Sequence, residues 1–379
     1  MTMMVATAVA GTTSPVTTMI ATAAAGRDVS NDAGEWFLTS GIRDAEGGVA
    51  RFYRTDLGQN APISTEITGY GASALISLYK QSGESRYLDA AMTTANYLVQ
   101  AWDADTETMP FECGPGAKYD SYFFDDGIII RGLLSVWRLT RTSEFLATAM
   151  QCGASMARDF FDGEHFGPVL SLPEKTLAPY VSARWSQAPG CYQLKSALGW
   201  YELWEIGKNE HHLKLYRSVL ASALATHEAF LLGVTDQQKV MDRLHSYLYF
   251  LEGLLPVVHE AECADAMRHG IPKVAQYMQS IAPQFLRADV IAQLLRIRIF
   301  ADDYSVLPLD RAAAEQEAEA LVSFQSEEED GRLSGGFWFG RRNGEIAPYM
   351  NPWVTSFASQ ALSMWNLRGR FKTDWRELI

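Results

Sequence analysis

The feature of this 379-residue chain that most constrains its fold is a repeated pair of helix-like segments. The clearest copy runs from Gly69 to Trp102 and consists of an apolar segment, the polar turn QSGES, and a second segment. In the second segment the apolar residues lie three or four apart, which places them on one face of a helix. A similar pair runs from Asp125 to Phe161. Repeats of this kind stack against their neighbours to bury a shared core.

Further copies of the pair begin near Tyr192, Asp242 and Asp289. The last apolar segment, Pro352 to Leu367, stands alone, but a helix-compatible run at about Thr17 to Ile42 can supply its partner. With that run included, the chain contains six first helices and six second helices. The pattern therefore predicts an all-α fold of six helical hairpins.

The last segment also indicates how the repeats are arranged. It keeps a strongly apolar face with Phe357, Leu362 and Trp365, whereas a linear solenoid needs polar caps at its ends. Closing the chain into a ring would bury that face, so we expect an (α/α)6 toroid; an open helical solenoid is the alternative. We expect residues 1–379 to form a single (α/α)6 barrel domain in which the N-terminal helix pairs with the C-terminal helix, with residues 1–16 flexible.

The two helices of each pair differ in polarity. The first is the more apolar and should line the inside of the ring, and the second is more charged and should face water. The long loops precede the first helices, so they should gather at one end of the ring, with small β-hairpin-like segments among them. Long loops in a compact domain are usually functional.

Charge and the N-terminus restrict the partners and the location. The net charge is −13, which argues against binding to nucleic acid or to an anionic membrane. The four cysteines are scattered and no His/Cys spacing suits a metal, so we expect neither a metal nor another cofactor. No Lys or Arg precedes Arg27, so the start lacks the charged region of a signal peptide, which favours a cytoplasmic protein over a secreted one.

The hairpin turns carry a family resemblance. Six helical hairpins, the turn LYKQSGESRYLDAA at residues 78–91 and the Gly-Gly-aromatic loop at Gly335 resemble the six-hairpin glycosidase-like superfamily. That superfamily includes glycoside hydrolases, unsaturated glucuronyl hydrolases, sugar 2-epimerases and some polysaccharide lyases. The resemblance covers nearly the whole chain at the level of architecture. It implies a carbohydrate-active enzyme with a small saccharide as its partner, and it leaves the oligomeric state open.

Carboxylates in the loops are the candidates for catalysis, because sugar chemistry usually needs one protonated and one ionised carboxyl group. The stretch YDSYFFDDG, Tyr119 to Gly127, ends in Asp125 and Asp126, and Glu66 opens the first inner helix in STEITGY. We take Asp126, Asp125 and Glu66 as candidate catalytic residues. An aspartate at a helix start also caps backbone N–H groups. One of the two aspartates can therefore cap the helix while the other faces the cavity, and the sequence leaves open which does which.

Aromatic and basic residues in the same loops are candidates for substrate binding. Tryptophans can stack on sugar rings, and arginines can hold the carboxylate of a uronic acid. Asn343 and Gly344 predict a tight β-hairpin turn, for which a lid packed over the ring is the alternative interpretation. The candidate substrate-binding residues are Tyr70, Asp120, Arg184, Trp185, His245, Trp338, Arg341, Arg342, Tyr349 and Trp353.

We therefore expect a glycoside hydrolase that acts on short saccharides, uronate-containing ones included. Two alternatives remain. One is a sugar epimerase or polysaccharide lyase that uses His245 and a tyrosine, although the epimerases of this superfamily rely on several inner histidines and this chain offers one. The other is a non-catalytic sugar-binding or scaffold protein.

Overall fold

The computed structural model describes residues 29–230, 234–282, 284–370 and 372–379. Within these ranges the chain forms twelve α-helices: α1 (Val29–Thr39), α2 (Thr65–Ser82), α3 (Ser85–Ala101), α4 (Phe123–Thr140), α5 (Ser143–Asp159), α6 (Gln193–Gly207), α7 (Glu210–Phe230), α8 (Gln237–Gly253), α9 (Ala261–Ile281), α10 (Ala288–Asp303), α11 (Arg311–Val322) and α12 (Pro352–Leu367). The part of the predicted N-terminal helix that precedes Val29 lies outside the described residues.

The even-numbered helices form an inner ring and the odd-numbered helices form an outer layer. Each inner helix packs against the next one along the chain, and α12 packs back against α2, which closes the ring. Helix α1 packs against α12. The predicted (α/α)6 toroid is therefore confirmed, and an open solenoid is ruled out.

Burial follows the two periodicities that the sequence showed. In the inner helix α10, every residue from Ala288 to Ala301 is buried, because the helix has neighbours on all sides. In the outer helix α3, burial is confined to a stripe of residues three or four positions apart, such as Tyr87, Ala91, Ala95 and Leu98. A helix with one apolar stripe can cover the ring while its other face meets water.

Three glycines let inner helices approach each other closely. A Cβ atom on Gly132 of α4 would lie 2.5 Å from the carbonyl oxygen of Gly69 in α2. A Cβ atom on Gly127 would lie 2.4 Å from the Cα of Ser196 in α6. Any side chain at these positions would force the helices apart, so glycine is needed where the inner wall is tightest.

Short strands lie in the loops that precede the inner helices: β1 (Tyr53–Arg54), β2 (Gln59–Asn60), β3 (Ile63–Ser64), β4 (Glu112–Cys113), β5 (Asp120–Tyr122), β6 (Val169–Ser171), β7 (Thr176–Leu177), β8 (Phe285–Arg287), β9 (Gly340–Arg342), β10 (Glu345–Ile346) and β11 (Tyr349–Met350). They form four small antiparallel sheets, in the orders β11-β1-β2, β10-β9-β8, β3-β4 and β5-β6-β7. Strands β3, β5 and β8 run directly into α2, α4 and α10. As predicted, the loops therefore gather at one end of the ring, around the N-termini of the inner helices.

The predicted Asn-Gly hairpin is present between β9 and β10. Asn343 and Gly344 both have positive φ angles, of 50° and 85°. Two consecutive positive φ angles are typical of the tight turn that Asn-Gly favours.

At the other end of the ring, residues 372–379 cross the C-terminal ends of the inner helices. Ile379 is buried, and its carbonyl oxygen accepts hydrogen bonds from Lys195 Nζ and Arg296 Nη1, both at 3.1 Å. Of the helices that the structure describes, none has the length and apolar character needed to cross a membrane.

Candidate active site

We call the end of the ring that contains the loops the mouth. Three carboxyl groups stand there at the starts of inner helices. Glu66 is the second residue of α2, Asp125 is the third residue of α4, and Asp289 is the second residue of α10. All three therefore occupy the first turn of their helix, where the positive end of the helix dipole favours a carboxylate.

Asp125 and its neighbour Asp126 point in different directions, because successive residues of an α-helix are rotated by about 100°. Asp125 interacts electrostatically with Glu66 across the mouth. Asp126 instead interacts with Asp159, the last residue of the outer helix α5, and with Lys175. The structure therefore places Asp125 in the mouth and Asp126 between the inner and outer layers.

The expectation that one of these aspartates caps α4 is wrong. The helix begins after Tyr122, which makes no side-chain cap hydrogen bond. Both carboxyl oxygens of Asp126 and the Oδ2 atom of Asp125 are buried without a hydrogen-bond partner among the described residues. Neither group is used to satisfy the helix N-terminus. Burial, followed by the charge of Asp159, raises the pKa of Asp126 well above its ordinary value, which favours the protonated form of this carboxyl group.

Glu66 and Asp125 form an electrostatically linked pair. Burial raises the pKa of Glu66 from 4.5 to about 7, although the positive charge of Arg51 opposes the shift. Burial, and then the charge of Glu66, raises the pKa of Asp125 well above its ordinary value. Two carboxyl groups that share a site cannot both ionise easily. The burial of both groups and the repulsion between them therefore favour a state in which the pair retains a proton.

Arg51 is part of this site although the sequence analysis did not single it out. Its Nη1 atom lies 2.9 Å from Glu112 Oε1, and its guanidinium group lies over the rings of Phe52 and Phe111. The positive charge of Arg51 opposes the rise in the pKa values of both members of the carboxyl pair. Arg51 reaches the mouth because Ala50 pairs with Ile63, just before α2. Nothing local in the sequence marks that pairing.

Asp289, also missed by the sequence analysis, has a different environment. Its carboxylate accepts hydrogen bonds from Arg287 at 3.0 and 2.5 Å, from Trp353 Nε1 at 3.1 Å, and from the backbone N–H of Val290 at 2.9 Å. Burial alone would raise the pKa of Asp289, but Arg287 and the other donors outweigh it and the pKa is lowered. Asp289 is therefore ionised. An acidic second residue, as in α2, is the signal that could have found it.

His245, in the middle of α8, is held beside Asp289. Its Nδ1 atom lies 2.6 Å from Gln293 Oε1 and 3.4 Å from Asp289 Oδ2. Burial lowers the pKa of His245 to about 4, although Asp289 opposes the shift, so the ring is neutral at neutral pH. A neutral ring that donates its Nδ1 proton to Gln293 keeps a lone pair on Nε2.

Aromatic rings form the wall and the floor of the mouth. Trp185 lies 5.9 Å from the His245 ring and 5.0 Å from the Tyr192 ring, measured between centroids. The hydroxyl groups of Tyr70 and Tyr249 are 3.2 Å apart, and both residues are buried. Such rings are suited to stacking on sugars, and the tyrosine pair closes the mouth from below.

An ion cluster lies beneath the tyrosines. Glu252 binds Lys195 at 2.8 Å and Arg296 at 2.7 Å, and all three side chains are fully buried. This cluster and the buried Ile379 lie between the mouth and the opposite end of the ring. Among the residues that the structure describes, no group of three or more His, Cys, Asp and Glu side chains is arranged to hold a metal ion.

Several predicted substrate-binding residues lie outside this pocket. Arg341 Nη2 donates to the carbonyl oxygen of Ser323 at 2.9 Å, at the end of the outer helix α11. The guanidinium group of Arg342 lies over the Phe285 ring. Neither arginine makes a hydrogen bond or ion pair with the mouth residues described above, because pairing of β9 with β8 directs this hairpin toward the outer layer.

The remaining predicted residues occupy the rim. Tyr349 packs against Phe52 and lies under Arg54, and the backbone N–H of Trp338 donates to Phe324. Asp120 is half-buried in β5, and Arg184 is exposed just before the turn that contains Trp185. Of the sequence-predicted residues, the structure thus brings together Glu66, Tyr70, Asp125, Trp185, His245 and Trp353.

Comparison with known proteins identifies the architecture. No protein family matches the sequence, and no curated protein is similar to it. The structure is similar to a sugar epimerase from a ruminal bacterium, with 12% identity, 91% of this chain and 98% of that chain covered, and a TM-score of 0.69. It is also similar to cellobiose 2-epimerase from Bacillus thermoamylovorans, with 10% identity and a TM-score of 0.68. The match covers 92% of this chain and 99% of that chain.

A third similar structure is a possible member of the GH105 family from Salmonella enterica serovar Paratyphi A, with 12% identity and a TM-score of 0.58. The match covers 90% of this chain and 94% of that chain. Identities this low establish the fold alone. The fold that these proteins share with this chain is the (α/α)6 toroid. The architecture that the repeats predicted is thereby confirmed.

Proposed function

We propose that this six-hairpin toroid is a carbohydrate-active enzyme, a glycoside hydrolase that acts on short saccharides bound in the mouth. The observation that supports the proposal most directly is the pair formed by Glu66 and Asp125. Both carboxyl groups have raised pKa values, and Asp125 keeps a buried oxygen without a hydrogen bond. Groups that are titratable near neutral pH and left unpaired in a pocket are typical of acid/base catalysts.

The two carboxyl groups would take separate roles. Asp125, whose pKa is raised by burial and by the charge of Glu66, would act as the general acid and protonate the glycosidic oxygen while the bond to the sugar carbon breaks. Glu66, with a pKa of about 7, is partly ionised at neutral pH. It would take a proton from the attacking water, or attack the sugar carbon itself. The charge of Arg51 would stabilise the ionised form of Glu66.

The other residues of the mouth would position the sugar. Trp185 and Trp353 offer ring faces to a sugar, and the ionised Asp289 can accept hydrogen bonds from hydroxyl groups. Because Arg341 and Arg342 are directed toward the outer layer, they give no support to a uronate substrate. Neutral saccharides are therefore proposed as the first substrates, with uronate-containing ones as a second set.

The test is the release of reducing ends from a panel of short neutral and uronate-containing saccharides. We expect Asp125→Asn to reduce kcat/KM by about 10² to 10⁴-fold, the usual contribution of a general acid. Asp126→Asn is the matched control, because it changes the adjacent aspartate, which faces away from the mouth. Full activity in the Asp125 variant, or an equal loss in the folded control, would contradict this assignment. Saccharide binding without turnover would instead indicate a binding protein.

A sugar epimerase or isomerase is the second candidate, because one observation favours it. His245 is neutral and its Nδ1 atom is fixed by Gln293, so Nε2 is available to accept a proton from a sugar carbon. Uptake of solvent deuterium into a saccharide that is not cleaved, lost in His245→Asn and retained in Asp125→Asn, would favour this function over hydrolysis.

A further inference from the structure

A cavity of about 490 Å³ lies at the opposite end of the ring from the mouth. Its walls are the C-terminal halves of α2, α4, α10 and α12, and residues 372–378 cover it. We call it the far cavity. Its volume falls within the range of small-molecule binding sites, about 300 to 1,000 Å³. The ion cluster and the tyrosine pair separate it from the mouth.

The far cavity is basic although the chain as a whole carries a charge of −13. Three carboxylates line it, from Asp303, Asp374 and Glu377, against six cations, from Lys80, Arg131, Arg138, Arg368, Lys372 and Arg376. Some of these cations form ion pairs with nearby carboxylates. Lys80 binds Glu377 at 2.6 Å, and Arg376 binds Glu205 at 2.5 Å.

Two arginines of α4 are different, because they share one carboxylate. Arg131 Nε lies 2.7 Å from Glu202 Oε1, and Arg138 Nη2 lies 2.6 Å from Glu202 Oε2. One negative charge therefore faces two positive charges. Arg131 is only 5% exposed, and its Nη2 atom donates to the carbonyl oxygen of Trp375. Its Nη1 atom makes no hydrogen bond to the described residues, so a buried guanidinium group keeps a spare donor at the cavity wall.

The helix dipole does not explain this arrangement. The C-terminal end of a helix favours cations, and Lys80 and Arg138 lie in the last turns of their helices. Arg131 lies nine residues before the end of α4 at Thr140, and the effect of the dipole fades within one turn. Arg131 is paired with Glu202, but it shares that carboxylate with Arg138, so the two arginines together carry one positive charge more than their common partner balances.

We propose that the far cavity binds a small organic anion. The phosphate or carboxylate group of the ligand would be held by Arg131 and Arg138, whose planar guanidinium groups suit such anions. The rest of the ligand would lie along the apolar wall formed by Ile299, Phe300 and Met364. This site is independent of the activity proposed for the mouth.

Isothermal titration calorimetry with three probes tests the proposal: glucose 6-phosphate, gluconate and glucose. The full chain is titrated at an ionic strength of about 0.15 M, where contacts between exposed charges are screened. We expect at least one of the two anions to bind in the far cavity, and any binding of glucose, a neutral sugar suited to the mouth, to be unaffected by Arg138→Gln. Arg138→Gln should weaken the binding by about tenfold, the usual loss for one charge-assisted hydrogen bond. Lys372→Ala, at an exposed position of the same wall, provides a second variant that leaves the Glu202 pairs intact.

Two matched controls make the test decisive. Arg342→Gln removes the same charge at the loop end and should leave anion binding unchanged. Glu66→Gln changes the mouth and should also leave it unchanged. Circular dichroism checks that each variant is folded. The proposal is overturned if neither anion binds, if Arg342→Gln weakens binding as much as Arg138→Gln, or if Glu66→Gln alters binding, which would place the anion in the mouth.

Discussion

Glu66 and Asp289 occupy the same position in two inner helices and have opposite environments. Each is the second residue of its helix and stands in the mouth. Asp289 is ionised and held by two bonds from Arg287 and one from Trp353. Glu66 makes no hydrogen bond or ion pair with the described residues, and its pKa is raised to about 7. One carboxyl group is fixed, and the other is free to exchange a proton.

The residue that precedes each helix accounts for the difference. The N-cap of α10 is Arg287, whose guanidinium group reaches the carboxylate two positions later. The N-cap of α2 is Ser64, whose hydroxyl oxygen accepts a hydrogen bond from the backbone N–H of Ile67 and leaves Glu66 without a partner. A single cap residue thus separates a carboxylate held by an arginine from one that has no such partner. The same position in a repeat does not by itself assign a role.

The largest expected effect of this difference is on activity. Glu66→Gln keeps the shape of the side chain and removes its ability to exchange a proton. We expect kcat/KM on the saccharide that the wild type hydrolyses to fall by about 10² to 10⁴-fold, with the variant still folded. Initial rates of reducing-end release measure it. A variant with wild-type rates would remove Glu66 from the proposed chemistry and leave Asp125 without its partner.

The second expected effect is on stability, and here the substitution of Asp289 should have a larger effect than the substitution of Glu66. Asp289→Asn leaves the buried Arg287 without its main counter-charge, although Asp242 remains 2.6 Å from it. Removing one member of a buried ion pair typically costs about 3–5 kcal/mol in the free energy of unfolding. Denaturant unfolding at pH 5 measures it, and Glu66→Gln is the control, with an expected change below about 1 kcal/mol at that pH. Equal losses of unfolding free energy in the two variants would mean that Asp289 and Glu66 do not differ in their contribution to stability.

The architecture was predictable because it depends on periodicity and closure. Apolar spacing defined the paired helices, and the apolar last helix required a partner. The start of each inner helix was visible too, so residues at those starts, such as Glu66, Asp125 and Trp353, could be expected at one end of the ring. These inferences need only local patterns and the order of the repeats.

The rest of the site depends on pairing between distant parts of the chain. Arg51 reaches the mouth through the contact of Ala50 with Ile63, and Arg341 leaves it because β9 pairs with β8, more than fifty residues earlier. Sequence position gives the direction of neither side chain. The hairpin turn was predicted from Asn-Gly, whereas the direction in which the hairpin points is set by tertiary contacts.

A third prediction uses the pH dependence of stability. The pKa of Glu66 is about 7 in the folded protein, against an ordinary value of 4.5. Between these values the folded state keeps a proton that the unfolded state releases, so the stability contributed by this group falls as the pH rises from 4.5 to 7 and stays lower above 7. Each unit of pKa shift corresponds to about 1.4 kcal/mol, and partial exposure of Glu66 reduces the total to about 2 kcal/mol.

Glu66→Gln should lack that component. Unfolding free energies of both proteins, measured from pH 4.5 to pH 8, should converge at low pH and differ by about 2 kcal/mol in favour of the variant at pH 8. Asp289→Asn should show no such gain at high pH, because Asp289 is ionised throughout this range. Parallel curves for the wild type and Glu66→Gln would mean that the pKa of Glu66 is not raised in the folded protein.

The smallest expected effect concerns Asp126. Its carboxyl group has no hydrogen-bond partner among the described residues, as in Glu66, but it does not stand in the mouth. Both oxygens of Asp126 are buried and unpartnered, as in a reactive group, but the side chain faces the outer layer. Because burial raises the pKa of Asp126 and favours its neutral form, Asp126→Asn replaces this form by a neutral polar group of the same shape. We expect the free energy of unfolding to change by less than about 1 kcal/mol and kcat/KM by less than about threefold. A large loss of activity in this variant would show that a carboxyl group outside the mouth can affect the reaction. Position relative to the mouth would then no longer distinguish reactive carboxyl groups from structural ones.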